Sequence, residues 1–268
     1  KLAYDYKQLK KMNLNTYIPT GILKAFIKCF LIIESEDELI NKVLPGTSLT
    51  IAFRYKGKVN YVMDSSIRSL PVITVSGLRK SARLINYTEN TGNLLVVFKE
   101  AGATAFFREP LHELFQESVS LENFVPRQRA SMIEELLAGS TNNHQRIAMV
   151  EKFLLSKLYD ARPDKLISTA LEKIHSAIGN IKIKELAARL YISQDAFEKR
   201  FRKKVGASPK QFSSLVRMGS IIQQIPKNTR LLDMVFDGGY FDQAHFNKDF
   251  KVFTGQTPTE FFDSPSFW

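Results

Sequence analysis

A chain of 268 residues, 44% of them hydrophobic, is long enough for two ordinary cores. Its net charge of +11 favours polyanionic partners and says nothing about fold. One cysteine, Cys29, excludes a disulfide scaffold within the chain, and no run of about 18 apolar residues offers a membrane span, so the expected location is the cytoplasm and no membrane partner is expected.

Met12 reads as a natural start, with residues 1–11 an extension. Residues 12–100 read as β-rich. Ala25–Ile33 is an apolar, β-branched and aromatic run that holds Cys29, expected to be a buried structural thiol. Ser48–Tyr55 and Lys58–Met63 flank Gly57, which is a hairpin signal. Pro71–Ser76, Ala82–Tyr87 and Asn93–Phe98 follow, separated by turn-forming residues. Six short strands of this kind predict a small β-barrel or jelly roll. If it binds an effector, Phe53, Tyr55, Tyr61 and Met63 are the strand residues that would line the pocket, although such alternating positions are usually core. Ala103–Phe107 predicts a short helix stopped near Pro110, and Leu111–Phe115 another turn.

Residues 127–138 and 143–159 predict two helices joined by the turn Gly139–Asn143. In the second, Ile147, Val150, Leu154 and Leu158 keep a 3–4 spacing, with Phe153 beside them. That stripe either forms a homodimer through helix 143–159, which is the expectation, or packs on the barrel. Ala161-Arg-Pro-Asp164 is the expected linker. The organisation read from sequence is α+β and multidomain. A β-barrel or jelly-roll domain covers 12–125, a helical pair and linker 126–162, and an all-α domain 163–268.

The last third contains one pattern twice. Phe197, Phe201, Gly206, Pro209 and Phe212 recur as Phe246, Phe250, Gly255, Pro258 and Phe261, each 49 residues later. Phe197 and Phe201 lie on one face of a helix, Gly206 suits the left-handed residue that ends it, and Ser208 with Gln211 forms a capping box for the next. Gly255, Thr257 and Glu260 repeat the device. Ser193 and Asp242 mark the helix starts, again 49 apart. Upstream, Ile183, Leu186, Ala187 and Leu190 have helical spacing, as do Leu232, Val235 and Phe236. Each copy therefore reads helix, short turn, helix. At about 100° per residue, the buried phenylalanines turn Asp195, Lys199, Arg202 and Lys203 outward. In the second copy Ala244, Lys248 and Lys251 face outward, flanked by His245 and Asn247. One such face could be merely solvated; two in register fit helices that enter a DNA major groove. Charge supports this locally, with 8 basic against 3 acidic residues in 182–204.

Residues 165–262 resemble the DNA-binding domain of AraC/XylS transcription regulators. The resemblance rests on Ile183–Ser193 running into Phe201–Pro209, and on Gly239–Lys251 running into Gly255–Pro258. It implies two helix-turn-helix units joined by a long helix near 209–224. The chain departs from the family pattern at Lys199 and Lys248, where arginine is usual, at Arg200, where an apolar residue is usual, at Tyr191, often glycine, and at Gly219, where the connecting helix favours alanine. The layout of the N-terminal part is similar to the cupin-like sensory domains found ahead of such readers.

The expected partner is double-stranded DNA. Asp195, Glu198 and Lys199, with Ala244, His245, Asn247 and Lys248, are candidates for base edges. Gln194, Arg202, Lys203, Gln243 and Lys251 are candidates for phosphates. For His245 the alternative is a surface histidine packed beside Tyr240. The four histidines, His112, His144, His175 and His245, are too far apart in sequence to match a metal motif, and no phosphate loop or nucleophile elbow is present, so no metal, cofactor or catalytic residue is expected. The N-terminal part is expected to sense a small molecule, to bind a protein effector or to dimerise. The rival readings are a cupin-type metalloenzyme with a DNA-binding tail and a protein-regulated interaction module.

Overall fold

The computed structural model describes residues 12–63, 66–160, 162–224, 239–240 and 242–263. The strands in chain order are β1 (Met12–Tyr17), β2 (Ile27–Ser35), β3 (Leu39–Val43), β4 (Thr50–Lys56), β5 (Val59–Met63), β6 (Ser66–Ser69), β7 (Ile73–Ser76), β8 (Arg83–Tyr87), β9 (Thr91–Phe98) and β10 (Ser118–Ser120). They form two antiparallel sheets, one in the order β1-β2-β9-β4-β7-β10 and the other β3-β8-β5-β6.

The apolar runs of β2 and β9 follow from their place at the centre of the larger sheet. Phe30 pairs with Val96 and Ile32 with Leu94, while β4 brings Ile51 and Phe53 to the same two partners. All six are at most 1% exposed. The alternate residues Leu31, Ile33 and Leu95 face the smaller sheet, where Leu39, Val59, Ile85 and Tyr87 meet them. A sheet covered on both faces needs apolar residues at successive positions rather than at alternate ones. Cys29 lies in β2, half-buried and unpaired, and burial pushes its thiol pKa up, which keeps it unreactive.

Gly57 does not close a hairpin. β4 already has β7 and β9 on its two edges, and β5 pairs with β6 and β8 in the other sheet. The chain crosses between sheets at Gly57, whose φ is +69 and whose missing Cβ would stand 2.5 Å from the Thr91 hydroxyl. Four strands beyond the six anticipated are also present: β1, β3, β6 and β10. After β9, short 3-10 turns cover Gly102–Ala105 and Leu111–Leu114, where helical turns were expected.

Helices α1 (Arg127–Ala138) and α2 (Asn143–Lys157) follow. Ile147, Val150 and Leu154 are buried, and Phe153 meets Phe53 edge-on at 6.1 Å. The stripe considered for dimerisation is thus covered by the chain's own sheet, which is the packing alternative. Leu155 is the one large apolar residue of α2 left exposed. Phe53 belongs to this core, and Tyr55 donates to Glu34 at 2.8 Å beneath the Arg146 guanidinium.

The C-terminal part consists of α3 (Lys165–Ser176), α4 (Ile183–Arg189), α5 (Gln194–Val205), α6 (Pro209–Gln224), α7 (Gln243–Thr254) and α8 (Pro258–Phe262). The expected first helix of the second copy, with Leu232, Val235 and Phe236, lies outside the described residues. Elsewhere the repeated devices are built as the sequence implies. Ser193 accepts from the Ala196 amide and Asp242 from the His245 amide. Gly206 and Gly255 are left-handed at φ +94 and +78. Capping boxes join Ser208 to Gln211 and Thr257 to Glu260. Phe197, Phe201, Phe212, Phe246 and Phe250 are fully buried, and each such side chain contributes about 2–3 kcal/mol.

The two glycines separate backbone strain from contact. A Cβ on Gly255 would meet nothing within 4 Å, whereas one on Gly206 would lie 3.2 Å from the Leu111 carbonyl oxygen. Gly255→Ala should cost about 1 kcal/mol in chemical denaturation, the price of a left-handed alanine. Gly206→Ala should cost about 1 kcal/mol more, because the Leu111 turn has to move as well. Equal costs would mean that the turn does not press on α5.

Candidate nucleic-acid interface

Helices α5 and α7 carry the residues expected to contact DNA. The Phe197–Phe201 and Phe246–Phe250 ring pairs, with centroids 5.6 and 5.5 Å apart, fix the rotation of each helix. Asp195, Lys199, Arg202 and Lys203 are all exposed on α5, as are Ala244, Lys248 and Lys251 on α7. Among the described residues, Lys199, Arg202, Lys203 and Lys248 form no ion pair. Their charge is therefore available to an outside anion.

The flanking positions are more committed. Gln194, though exposed, donates to Glu198 at 2.9 Å, and Glu198 is half-buried. His245 stands 3.6 Å from Asp249 and edge-on to Tyr240 at 5.3 Å. This is the packing described by the structural alternative, yet its side chain keeps 55% exposure. Arg217 lies over the Tyr240 ring at 4.5 Å, and burial pushes the phenol pKa up to about 12. Asn247 is half-buried, with its Oδ1 buried and unpartnered among the described residues. Gln243 is exposed.

Two residues noted only as departures from a pattern acquire places. Arg200 reaches back to Asp164 with two hydrogen bonds of 2.8 Å, and Asp164 itself caps α3 through the Ile167 amide. A long guanidinium there ties α5 to α3 where an apolar residue could only pack. Tyr191 takes the left-handed position of the turn at φ +55 and is 98% exposed. Val252, which was not singled out, is 44% exposed beside the outward face of α7, at the position matching Lys203.

The β-rich part meets both of these helices at their C-terminal ends. The turn Leu111–Leu114 packs on α5 near Gly206. The Ala82 amide donates to the Phe253 carbonyl at 2.9 Å, and the Lys42 ammonium donates to Gln256 at 2.6 Å. The outward residues named above take no part in these contacts. Among the described residues no helix is long and apolar enough to cross a membrane.

Comparison with known proteins follows this division. Residues 186–264 match a family described as a helix-turn-helix domain, and residues 15–120 match a domain of unknown function (DUF6597). The Msm operon regulatory protein of Streptococcus mutans is 27% identical over 154 residues, which are 56% of this chain and 55% of that protein. The chain thus spans about half the length of that curated relative. Among solved structures, ToxT of Vibrio cholerae is 13% identical with a TM-score of 0.44, covering 94% of this chain and 98% of its own. The C-terminal domain of AraT, a response regulator of Geobacillus stearothermophilus, is 16% identical with a TM-score of 0.37, covering 40% of this chain and 91% of its own. Both structural likenesses are loose.

The Arg200–Asp164 pair yields a pH signature. Burial raises the Asp164 pKa, but the Arg200 hydrogen bond, the Ile167 amide and the Arg200 charge outweigh it and hold the carboxyl below its ordinary 3.8. A depressed carboxyl contributes stability that is complete above the ordinary pKa and is lost as pH falls through the lowered one. Arg200→Gln should therefore cost about 1 kcal/mol at neutral pH, a modest figure because Arg200 stays half-exposed and screened. It should also flatten the loss of stability seen by denaturation below about pH 4. An unchanged acid limb would show that the pair contributes nothing.

Proposed function

We propose that this chain, an AraC/XylS-family protein by its helix-turn-helix domain, is a sequence-specific transcription regulator that sets α5 and α7 into successive major grooves of double-stranded DNA. The observation that carries this reading is the doubled geometry. Two helices, built by the same devices 49 residues apart, bury matched aromatic pairs and turn matched cationic faces outward. Lysine and arginine on such a face release counterions from phosphates, and small polar side chains near a helix start reach base edges.

Base contacts are assigned to Asp195, Glu198 and Lys199 in the first unit and to Ala244, His245, Asn247 and Lys248 in the second. Asp195 and Glu198 would accept from cytosine amino groups or repel wrong sequences. Phosphate contacts are assigned to Gln194, Arg202, Lys203, Gln243 and Lys251. The part before residue 126 is read as sensory and residues 126–162 as a connector. We assign the protein no catalysis and a cytoplasmic location.

An effector held between the β-rich part and α7 would bear on DNA binding. A cleft of about 530 Å3 is lined by Lys42, Tyr61, Arg68, Arg83 and Ser118 of the β-rich part and by Thr254 and Gly255 at the end of α7. A ligand there would touch the sensory part and the second recognition helix together. Met63 also lines this cleft.

Fluorescence anisotropy on labelled duplexes over a salt series tests the contact assignment. Lys251→Ala should weaken binding to all sequences and lower the salt slope by about 1. Lys199→Ala should cost roughly 1–3 kcal/mol on the preferred site and relax one of its positions. If neither substitution alters affinity or slope, these faces do not meet DNA.

A further inference from the structure

Tyr191 is the residue that the fold explains least. It is 98% exposed, more than any other large apolar or aromatic side chain described, and its backbone is left-handed at φ +55. Its amide donates to the Ala188 carbonyl at 3.1 Å and the Ile192 amide to Ala187 at 3.2 Å, closing the turn between α4 and α5. Glycine is the residue that takes this conformation without strain, because a Cβ there crowds the neighbouring backbone. Ile178 shares the left-handed backbone, but half of its surface is covered. Tyr191 strains its turn and buries almost nothing in return. Strain kept by a side chain that the fold does not use points to a use outside the fold.

The position of Tyr191 narrows that use. It stands two residues before Ser193, which starts the helix carrying Asp195, Lys199 and Arg202 on its outward face. Arg189, also exposed, lies two residues earlier. A phenol is an amphipathic group with a flat apolar body and one strong hydrogen-bond donor. That combination suits the sugar-phosphate backbone, which presents an apolar sugar edge beside a phosphate oxygen.

We propose that Tyr191 is a DNA-backbone contact: its hydroxyl donates to a phosphate oxygen and its ring lies against the adjoining deoxyribose. The proposal rests on the DNA-reading function above and adds to it a contact of a different kind. A phosphate held by a neutral donor releases no counterion, so Tyr191 adds affinity for every sequence without steepening the salt dependence. The cationic contacts do both.

Three proteins separate the outcomes: wild type, Tyr191→Gly and Tyr191→Phe. Each is measured by anisotropy on a duplex carrying the preferred site and on an unrelated duplex, over a salt series, with thermal denaturation alongside. Tyr191→Gly should raise Tm by about 4 °C as the strain leaves. It should weaken binding to both duplexes about five- to tenfold with an unchanged salt slope. Tyr191→Phe should leave Tm where it was and lose about threefold, the share of the hydroxyl. Glycine binding both duplexes as tightly as wild type overturns the proposal, as does a loss confined to the preferred site. A Tm lowered by glycine overturns the strain argument beneath it. A wild type that binds neither duplex removes the DNA-reading function itself, and the Tyr191 contact with it.

Discussion

Two phenylalanines one helical turn apart decide which way α5 and α7 each face. Phe197 and Phe201, like Phe246 and Phe250, are wholly buried, and their rings lie against one another and against Phe212 and Phe261 of the helices that follow. Rotating either helix by one residue would carry two aromatic rings into water, at several kcal/mol. The outward direction of Lys199 and Lys248 is therefore a consequence of core packing and needs no ion pair to hold it. Caps and left-handed glycines then fix where each helix begins and ends.

The second constraint is that one continuous core runs from the central sheet into the helical part. Among the described residues the β-rich part meets the C-terminal ends of α5 and α7 through the Leu111 turn and through Ala82 and Lys42. Contacts there bear on the angle of each helix while leaving its outward face uncovered. Any rearrangement of the strands around Lys42 and Arg83 would reach α7 directly. Within the helical part, Arg200 and Asp164 tie α5 to α3, so α5 is also held from the helical side.

Sequence disclosed the helical third best because its signals are local. A cap, a glycine and an i,i+4 aromatic pair each act within a few residues, and their repetition 49 residues later removes ambiguity. The sheets were less legible. β1, β6 and β10 lie at sheet edges and are short or largely polar, so too few apolar residues mark them. Gly57 misled because a glycine between two alternating segments looks the same whether the strands pair or part, and only the occupied edges of β4 decide. Phe53 and Tyr55 pointed to a barrel interior, yet that face of the sheet is closed by α2. For the interface, exposure follows from the helical period, but the engagement of His245 with Asp249 and Tyr240 and of Gln194 with Glu198 depends on rotamers that no pattern encodes. Arg200 and Tyr191 stood out as departures, and their meaning came only from Asp164 and from the backbone angle.

Selection of binding sites from randomised duplex DNA tests the central claim most directly. If α5 and α7 both enter the major groove, they should enrich a bipartite site whose halves lie about one helical turn, roughly 10 base pairs, apart on the same face of the duplex. Enrichment of a single short block, or of no sequence at all, would contradict it.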